Sequence, residues 1–230
     1  GKISKGVTMV KYIQSAKNPQ VKQWKKLLTK KERDKTGTFL VEGFHLVEEA
    51  LAANKVLNII ISEHTELPQR WDYGSTPVTS VTDDIIKELA DTETPQGVMA
   101  VCDEEKADLS AIEGKSFLLI DSVQDPGNLG TMIRTADAAG MDAVIVGSGS
   151  VDIYNPKVLR SGQGSHFHLP VMRGSLEEWI EKLQNSNISV YGTALENGQV
   201  YKEVSQPSSF ALIVGNEGNG VNSELLKLTD

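Results

Sequence analysis

The sequence predicts an α/β protein in two parts, and three observations carry that prediction. Short apolar strands alternate with helical segments along most of the chain, the pattern that yields a mainly parallel sheet covered on both faces. A polar, acidic stretch at 104–114 separates an α/β unit at 1–103 from a second alternating series at 115–230. Two strands run directly into glycine-rich turns, Asp125-Pro126-Gly127-Asn128-Leu129-Gly130 and Gly215-Asn216-Glu217-Gly218-Asn219-Gly220. Open α/β sheets build their ligand sites at such strand-to-loop corners.

The elements follow from local signals. Residues 18–33 read as one helix, with Asn18 as cap, Pro19 at the first helical position, and Val21, Trp24, Leu27 and Leu28 at helical spacing. Residues 39–42 form a strand, and Gly43 leads into a helix through Leu46, Val47, Ala50 and Leu51. A β-branched strand at 56–62, a helix at 83–90 capped by Thr82, and a strand at 98–102 complete the first part. In the second part, strands are expected at 117–121, 143–146, 169–172, 188–193 and 210–214. Helices are expected at 128–139, 155–161, from Ser175 to about 185 through a Ser175/Glu178 capping box, and from Asn222.

Composition narrows the function classes. The content of 39% hydrophobic residues is ordinary for a globular chain, and no apolar run approaches the roughly 18 residues of a membrane helix. Cys102 is the only cysteine, so neither an internal disulfide nor a thiolate metal cluster can form, and a cytoplasmic protein is expected. The net charge of −8 hides a strong asymmetry. Residues 1–40 hold eleven Lys/Arg against two acids, leaving twelve basic and 29 acidic residues for the remainder, so the two segments carry +9 and −17. Such a basic arm is either a face for polyanions or a solubilising terminus.

The first turn makes a tight corner at Pro126-Gly127, with Asn128 available to cap the next helix. Arg134 lies near the end of that helix's second turn, and Ala136, Ala138, Ala139 and Gly140 offer a small-residue face for close packing. The bland alternative is a capping Asn128 and a surface Arg134 paired with Asp137 or Asp142. The glycines of the second turn let backbone N–H groups face a ligand. The turn lacks the lysine of a P-loop and the spacing of a dinucleotide fingerprint, and Glu217 disfavours a phosphate. His166 and His168 would share one face of an extended segment, but no third ligand has metal-site spacing, and no metal is expected.

Together these residues resemble the SpoU/TrmH family of RNA 2′-O-ribose methyltransferases, within the SPOUT class. The first family motif is matched by the segment from Asn128 through Arg134-Thr135-Ala136, and the second by Leu212-Ile213-Val214 followed by the second turn and Val221. Arg160-Ser161-Gly162-Gln163-Gly164 and His168-Leu169-Pro170-Val171 are similar to the central loop and strand. Phe39-Leu40-Val41-Glu42-Gly43 and Thr94-Pro95-Gln96-Gly97-Val98 resemble the family's appended substrate-binding domain, which is similar in fold to a ribosomal RNA-binding protein.

The resemblance implies a SPOUT-type α/β trefoil-knot domain preceded by a small α/β RNA-binding domain, one of the rare knotted folds. The third family motif, a Ser-Leu-Asn segment that completes the knot, part of the donor pocket and part of a dimer contact, would follow Asp230, so a truncated chain is expected. The implied reaction is S-adenosylmethionine-dependent 2′-O-methylation of a ribose, in ribosomal RNA by preference, by a homodimer. Arg134, Asn128 and Glu217 are the implied catalytic residues. Arg134 is assigned in the family as base; its guanidinium stays protonated, which favours an electrostatic role instead. Thr193, Ala194, Leu195, Gly215, Asn216, Gly218 and Gly220 would line the donor pocket. Lys22, Lys25, Lys26, Lys30, Lys31, Arg33 and Arg160 would contact RNA, while Trp24 reads as core. The rival readings are a non-catalytic RNA-binding or ribosome-assembly protein that kept the fold, a transfer-RNA ribose methyltransferase, and a nucleotide-binding α/β enzyme of another class.

Overall fold

The computed structural model describes residues 10–104, 109–192 and 209–230. The chain divides into two compact units, Gly1–Glu105 with Tyr154–Pro156, and Lys106–Ile153 with Lys157–Asp230.

The first unit is built on a mixed sheet of five strands, β1 (Val10–Ile13), β2 (Thr38–Glu42), β3 (Val56–Ser62), β4 (Val78–Val81) and β5 (Val98–Asp103), in the order β1-β4-β3-β5-β2. The pairs β1–β4 and β3–β4 are parallel, whereas β5 runs antiparallel to both β3 and β2. The sequence pattern missed β1 and β4, each four residues long. Helices α1 (Pro19–Lys26), α2 (Lys30–Thr36), α3 (Phe44–Ala52) and α4 (Asp83–Leu89) complete the unit. Trp24 lies in its core with Ile13, Val21, Ile60, Ile85 and Met99.

The single helix expected over 18–33 is broken into α1 and α2. Asn18 caps α1, its Oδ1 accepting the Gln20 N–H at 2.8 Å. The helix then stops so that Leu27 can enter the core, and the Thr29 hydroxyl accepts the Glu32 N–H to open α2. The spacing Thr29-Lys30-Lys31-Glu32 carried that stop signal in the sequence. Arg33, expected on the RNA face, is only 5% exposed. Its Nη1 donates to the Leu27 carbonyl at 3.0 Å, serving an acceptor released where α1 ends. The guanidinium therefore joins the two helices and is not presented to a polyanion.

The second unit holds five parallel strands, β6 (Ser116–Asp121), β7 (Ala143–Val146), β8 (Val171–Arg173), β9 (Ser189–Gly192) and β10 (Phe210–Gly215), in the order β8-β7-β6-β10-β9. Its helices are α5 (Pro126–Ala138), α6 (Pro156–Gly162), α7 (Leu176–Asn185) and α8 (Ser223–Leu226), with a single 3-10 turn at Ser165–Phe167. The central strands β6, β7 and β10 are apolar and buried along almost their whole length, apart from Ser116 and Asp121 at the ends of β6, as expected of a sheet covered on both faces. Leu109 and Ile112, inside the stretch read as a polar linker, are buried in this unit's core beside Phe117, Ile180 and Ile213. The order of strands reverses between β6 and β10, which places a ligand crevice at their carboxyl ends. Among the described residues no helix is long and apolar enough to cross a membrane.

Candidate active site

The two glycine-rich turns leave neighbouring strands in register. Asp121 ends β6, Gly215 ends β10, and the two are paired across the parallel ladder. Turns separated by about 90 positions in sequence thus emerge side by side, in the crevice where the strand order reverses.

In the first turn the helix cap is Asp125, not Asn128. The Asp125 Oδ2 accepts the Asn128 N–H at 2.9 Å, and Pro126 occupies the first helical position. Asn128 is therefore the third residue of α5, and capping does not engage its side-chain amide. Leu129, Ile133 and Ala136 turn α5 into the core and leave Thr131, Arg134 and Thr135 exposed. The acids that might have held Arg134 are engaged elsewhere. His168 Nδ1 donates to Asp137 Oδ2 at 2.7 Å, and Asp142 accepts the Ser116 N–H at 2.7 Å. Among the described residues no ion pair restrains Arg134. The close helix packing falls at Gly130, where a Cβ would lie 2.5 Å from the Val158 carbonyl oxygen and from the Ser161 Cβ. Ala138, Ala139 and Gly140 are exposed and form no packing face.

The second turn closes on itself. The Gly220 N–H donates to the Asn216 carbonyl and the Gly218 N–H to Asn216 Oδ1, both at 2.7 Å. Gly220 has φ +63°, and a Cβ on Gly215 would stand 2.2 Å from the Gly220 carbonyl carbon, so both positions require glycine. Glu217, Gly218 and Asn219 are exposed at the tip. A cleft of about 330 Å³ opens at the carboxyl ends of β6 and β7, lined by Asp121, Ser122, Gly147, Ser148 and Asn222 among others. Neither turn carries a Lys that could hold a polyphosphate, and the exposed Glu217 carboxylate is complementary to a cation. A backbone-lined turn with one acid fits a sulfonium-bearing adenosine better than a nucleoside triphosphate. Thr193, Ala194 and Leu195 lie outside the described residues.

The first turn is also braced on its other flank. The Val123 N–H donates to Ser150 Oγ and the Val151 N–H to the Val123 carbonyl, both at 3.0 Å. The loop around Ser150 is held in turn by Arg173, which pairs with Asp152 at 3.3 Å, and by His166. His166 and His168 do not share a face, because the segment is not extended but winds into a 3-10 turn that contains His166 and ends at His168: His168 reaches Asp137 on α5, while His166 is buried and its Nε2–H donates to the Ile153 carbonyl at 2.8 Å. Burial pushes the His166 pKa down to about 4. The unfolded chain, with this group near the ordinary histidine value of about 6.5, takes up the proton first as pH falls. Stability from His166 is therefore complete above that value and lost as pH falls toward about 4, by at most about 1.4 kcal/mol per pH unit. Urea-unfolding midpoints between pH 7.5 and 4.5 are expected to fall less steeply for His166→Gln than for the unmodified chain; parallel profiles would remove His166 from this role.

Of the lysines expected to meet RNA, Lys22, Lys25, Lys26 and Lys31 are exposed, and Lys30 pairs with Asp34 at 2.7 Å. Arg160 is half-buried on α6. Sequence reasoning missed Asp121 and Asp125 at this site. An acid ending an apolar strand and an Asp before Pro-Gly were the available signals.

Comparison with known proteins decides the family. Residues 115–230 match the model of the SpoU rRNA Methylase family, and residues 18–100 match an MRM3-like substrate binding domain. The chain belongs to the SpoU rRNA methylase family. It is 52% identical over 222 residues to the 23S rRNA (guanosine(2553)-2′-O)-methyltransferase RlmP of Bacillus subtilis, covering 96% of this chain and 88% of that one. The crystal structure of an rRNA methyltransferase from Sinorhizobium meliloti superposes with a TM-score of 0.80 at 30% identity, covering 96% of this chain and 87% of that one. The SpoU methyltransferase AviRb from Streptomyces viridochromogenes, in complex with AdoMet, gives a TM-score of 0.76 at 29% identity over 93% of this chain and 86% of that one. The SpoU-type α/β architecture expected from the motifs is the architecture found, and this family member is an S-adenosylmethionine-dependent RNA methyltransferase.

Proposed function

We propose that the chain methylates the 2′-oxygen of a ribose in 23S ribosomal RNA, and that the nucleotide is a guanosine. The observation that carries this reading is the 52% identity to RlmP over nearly the whole of both chains. The side-by-side placement of the two turns supports it, because β6 and β10 end in register and deliver both turns to one edge of the sheet. The direct test incubates the full-length protein with unmodified 23S rRNA and labelled donor, then maps 2′-O-methylation by primer extension at low nucleotide concentration. One methylated guanosine ribose is expected; label on a base, or none on this RNA, would overturn the reading.

Bound S-adenosylmethionine supplies a methyl group already activated by the sulfonium charge. The backbone of residues 215–220 would hold the donor, and the Glu217 carboxylate would complement its positive charge. The remaining difficulty is the nucleophile, a weakly acidic hydroxyl. Arg134 stays protonated, so it binds the adjacent phosphate and stabilises the developing alkoxide instead of removing the proton. Asn128, whose amide is not used in capping, orients the ribose.

Lys22, Lys25, Lys26 and Lys31, exposed on α1 and α2, dock the RNA by phosphate contacts that fix register without reading bases. Arg160 adds a contact from the second unit. In RNA-binding titrations across a salt series, a triple Ala variant at Lys22, Lys25 and Lys26 should bind RNA more weakly and with a flatter salt dependence, while calorimetry shows donor binding intact. We further propose that the enzyme acts as a homodimer in the cytoplasm, where ribosomal RNA is available.

A further inference from the structure

We propose that Asp121 is a positioning residue that holds the donor-binding turn in place through the backbone N–H of Asn222. The inference rests on the reading of residues 215–220 as the donor-binding turn. Asp121 is 7% exposed at the carboxyl end of β6, and its Oδ2 accepts the Asn222 N–H at 2.7 Å, across 101 positions of sequence.

Two features show why this bond is needed. First, the second turn is bonded mainly to itself, through Asn216 with Gly218 and Gly220, so its internal bonds fix its shape and not its location. One end is held by β10, where Gly215 pairs with Asp121. The other end is Asn222, where among the described residues the Asp121 carboxylate is the hydrogen-bonding tether, beside Val221 and Leu225, which pack into the core. A single residue thus fixes both ends of the turn, by its backbone at the start and by its side chain at the finish. Second, Asn222 is the cap of α8, its Oδ1 accepting the Glu224 N–H at 2.8 Å. The N–H of a capping residue is commonly accepted by a Glu or Gln three positions on. That position is Leu225, a buried apolar residue. Asp121 supplies from a distant strand the carboxylate that the local sequence omits.

The acceptor matters here more than the charge. Asp121→Asn keeps an oxygen in the same place, whereas Asp121→Ala removes it and releases the far end of the turn. Asp121→Ala should raise the Kd and KM for S-adenosylmethionine about tenfold, near 1.4 kcal/mol. It should change kcat at saturating donor less than twofold and leave RNA affinity unchanged. Asp121→Asn should restore donor affinity to within about threefold of the unmodified chain, the scale of a neutral in place of a charged acceptor. Calorimetry on full-length protein, well below each variant's unfolding midpoint, measures donor and RNA affinity separately. Unchanged donor affinity in Asp121→Ala would overturn the proposal, as would parallel losses of donor and RNA binding, which mark general loosening. If Asp121→Asn is as impaired as Asp121→Ala, the acceptor role is likewise overturned. Failure of the underlying reading looks different: substitutions at the tip of the turn would then leave donor affinity untouched even though Asp121→Ala lowers it.

Discussion

Replacing Arg134 by alanine is expected to reduce methyl transfer by roughly a hundred- to a thousandfold, the scale on which one preorganised charge-stabilising donor acts. Donor affinity should be unchanged. The structure separates these effects because Arg134 contributes nothing to the fold among the described residues: it is exposed, and Asp137 and Asp142 are committed to His168 and Ser116. Truncation leaves no buried partner behind, so the unfolding midpoint should move little. Arg134→Lys keeps the charge but loses the planar fork that matches a phosphate, and should recover only part of the rate. Single-turnover rates with donor in excess, paired with calorimetric donor binding, distinguish the outcomes. A near-normal rate in Arg134→Ala would remove the residue from the reaction. Lost donor affinity would move it to the donor pocket.

The sequence made the two turns legible because glycine and proline punctuate a chain more strongly than any other residues. The strands before them were equally legible as short apolar runs, and the starts of β3, β5 and α7 fall where local signals place them. What local signals do not encode is adjacency. That β6 and β10 are neighbours follows from the strand order of a sheet assembled across the whole second unit. The Asp121–Asn222 bond depends on that order, so nothing near either residue announces it.

Two polar side chains are decided by the backbone around them. Arg33 was grouped with the lysines by charge, but a helix break leaves carbonyls in need of donors, and Arg33 bonds one of them. Asn128 could cap α5 by residue type, the bland alternative to a role in the site, yet Asp125, three residues earlier and just before Pro126, is the better-placed acceptor. With Asp125 as the cap, the Asn128 amide is not consumed by capping.

Gly215→Ala should be the most damaging single methyl in the second turn. The added Cβ would stand 2.2 Å from the carbonyl carbon and oxygen of Gly220 and 2.5 Å from the Val221 nitrogen. All three are backbone atoms closed by the Gly220–Asn216 hydrogen bond, so no side chain can swing aside. The turn must open or β10 must shift, and overpacking of this kind costs roughly 1–3 kcal/mol. Because the displaced atoms belong to the proposed donor pocket, donor affinity should fall by more than about tenfold, in step with that cost. Gly218→Ala is the control: its Cβ meets only Asn216 Oδ1, at 3.5 Å, an ordinary contact at the exposed tip. It should leave the thermal midpoint nearly unchanged. Gly220→Ala lies between, with open space around the Cβ but φ of +63°, a left-handed conformation that costs an alanine about 1 kcal/mol. Thermal melts and donor calorimetry on the three variants should rank them Gly215, Gly220, Gly218 from most to least impaired. Equal tolerance at Gly215 and Gly218 would mean that the closed form of the turn is not the one that binds the donor.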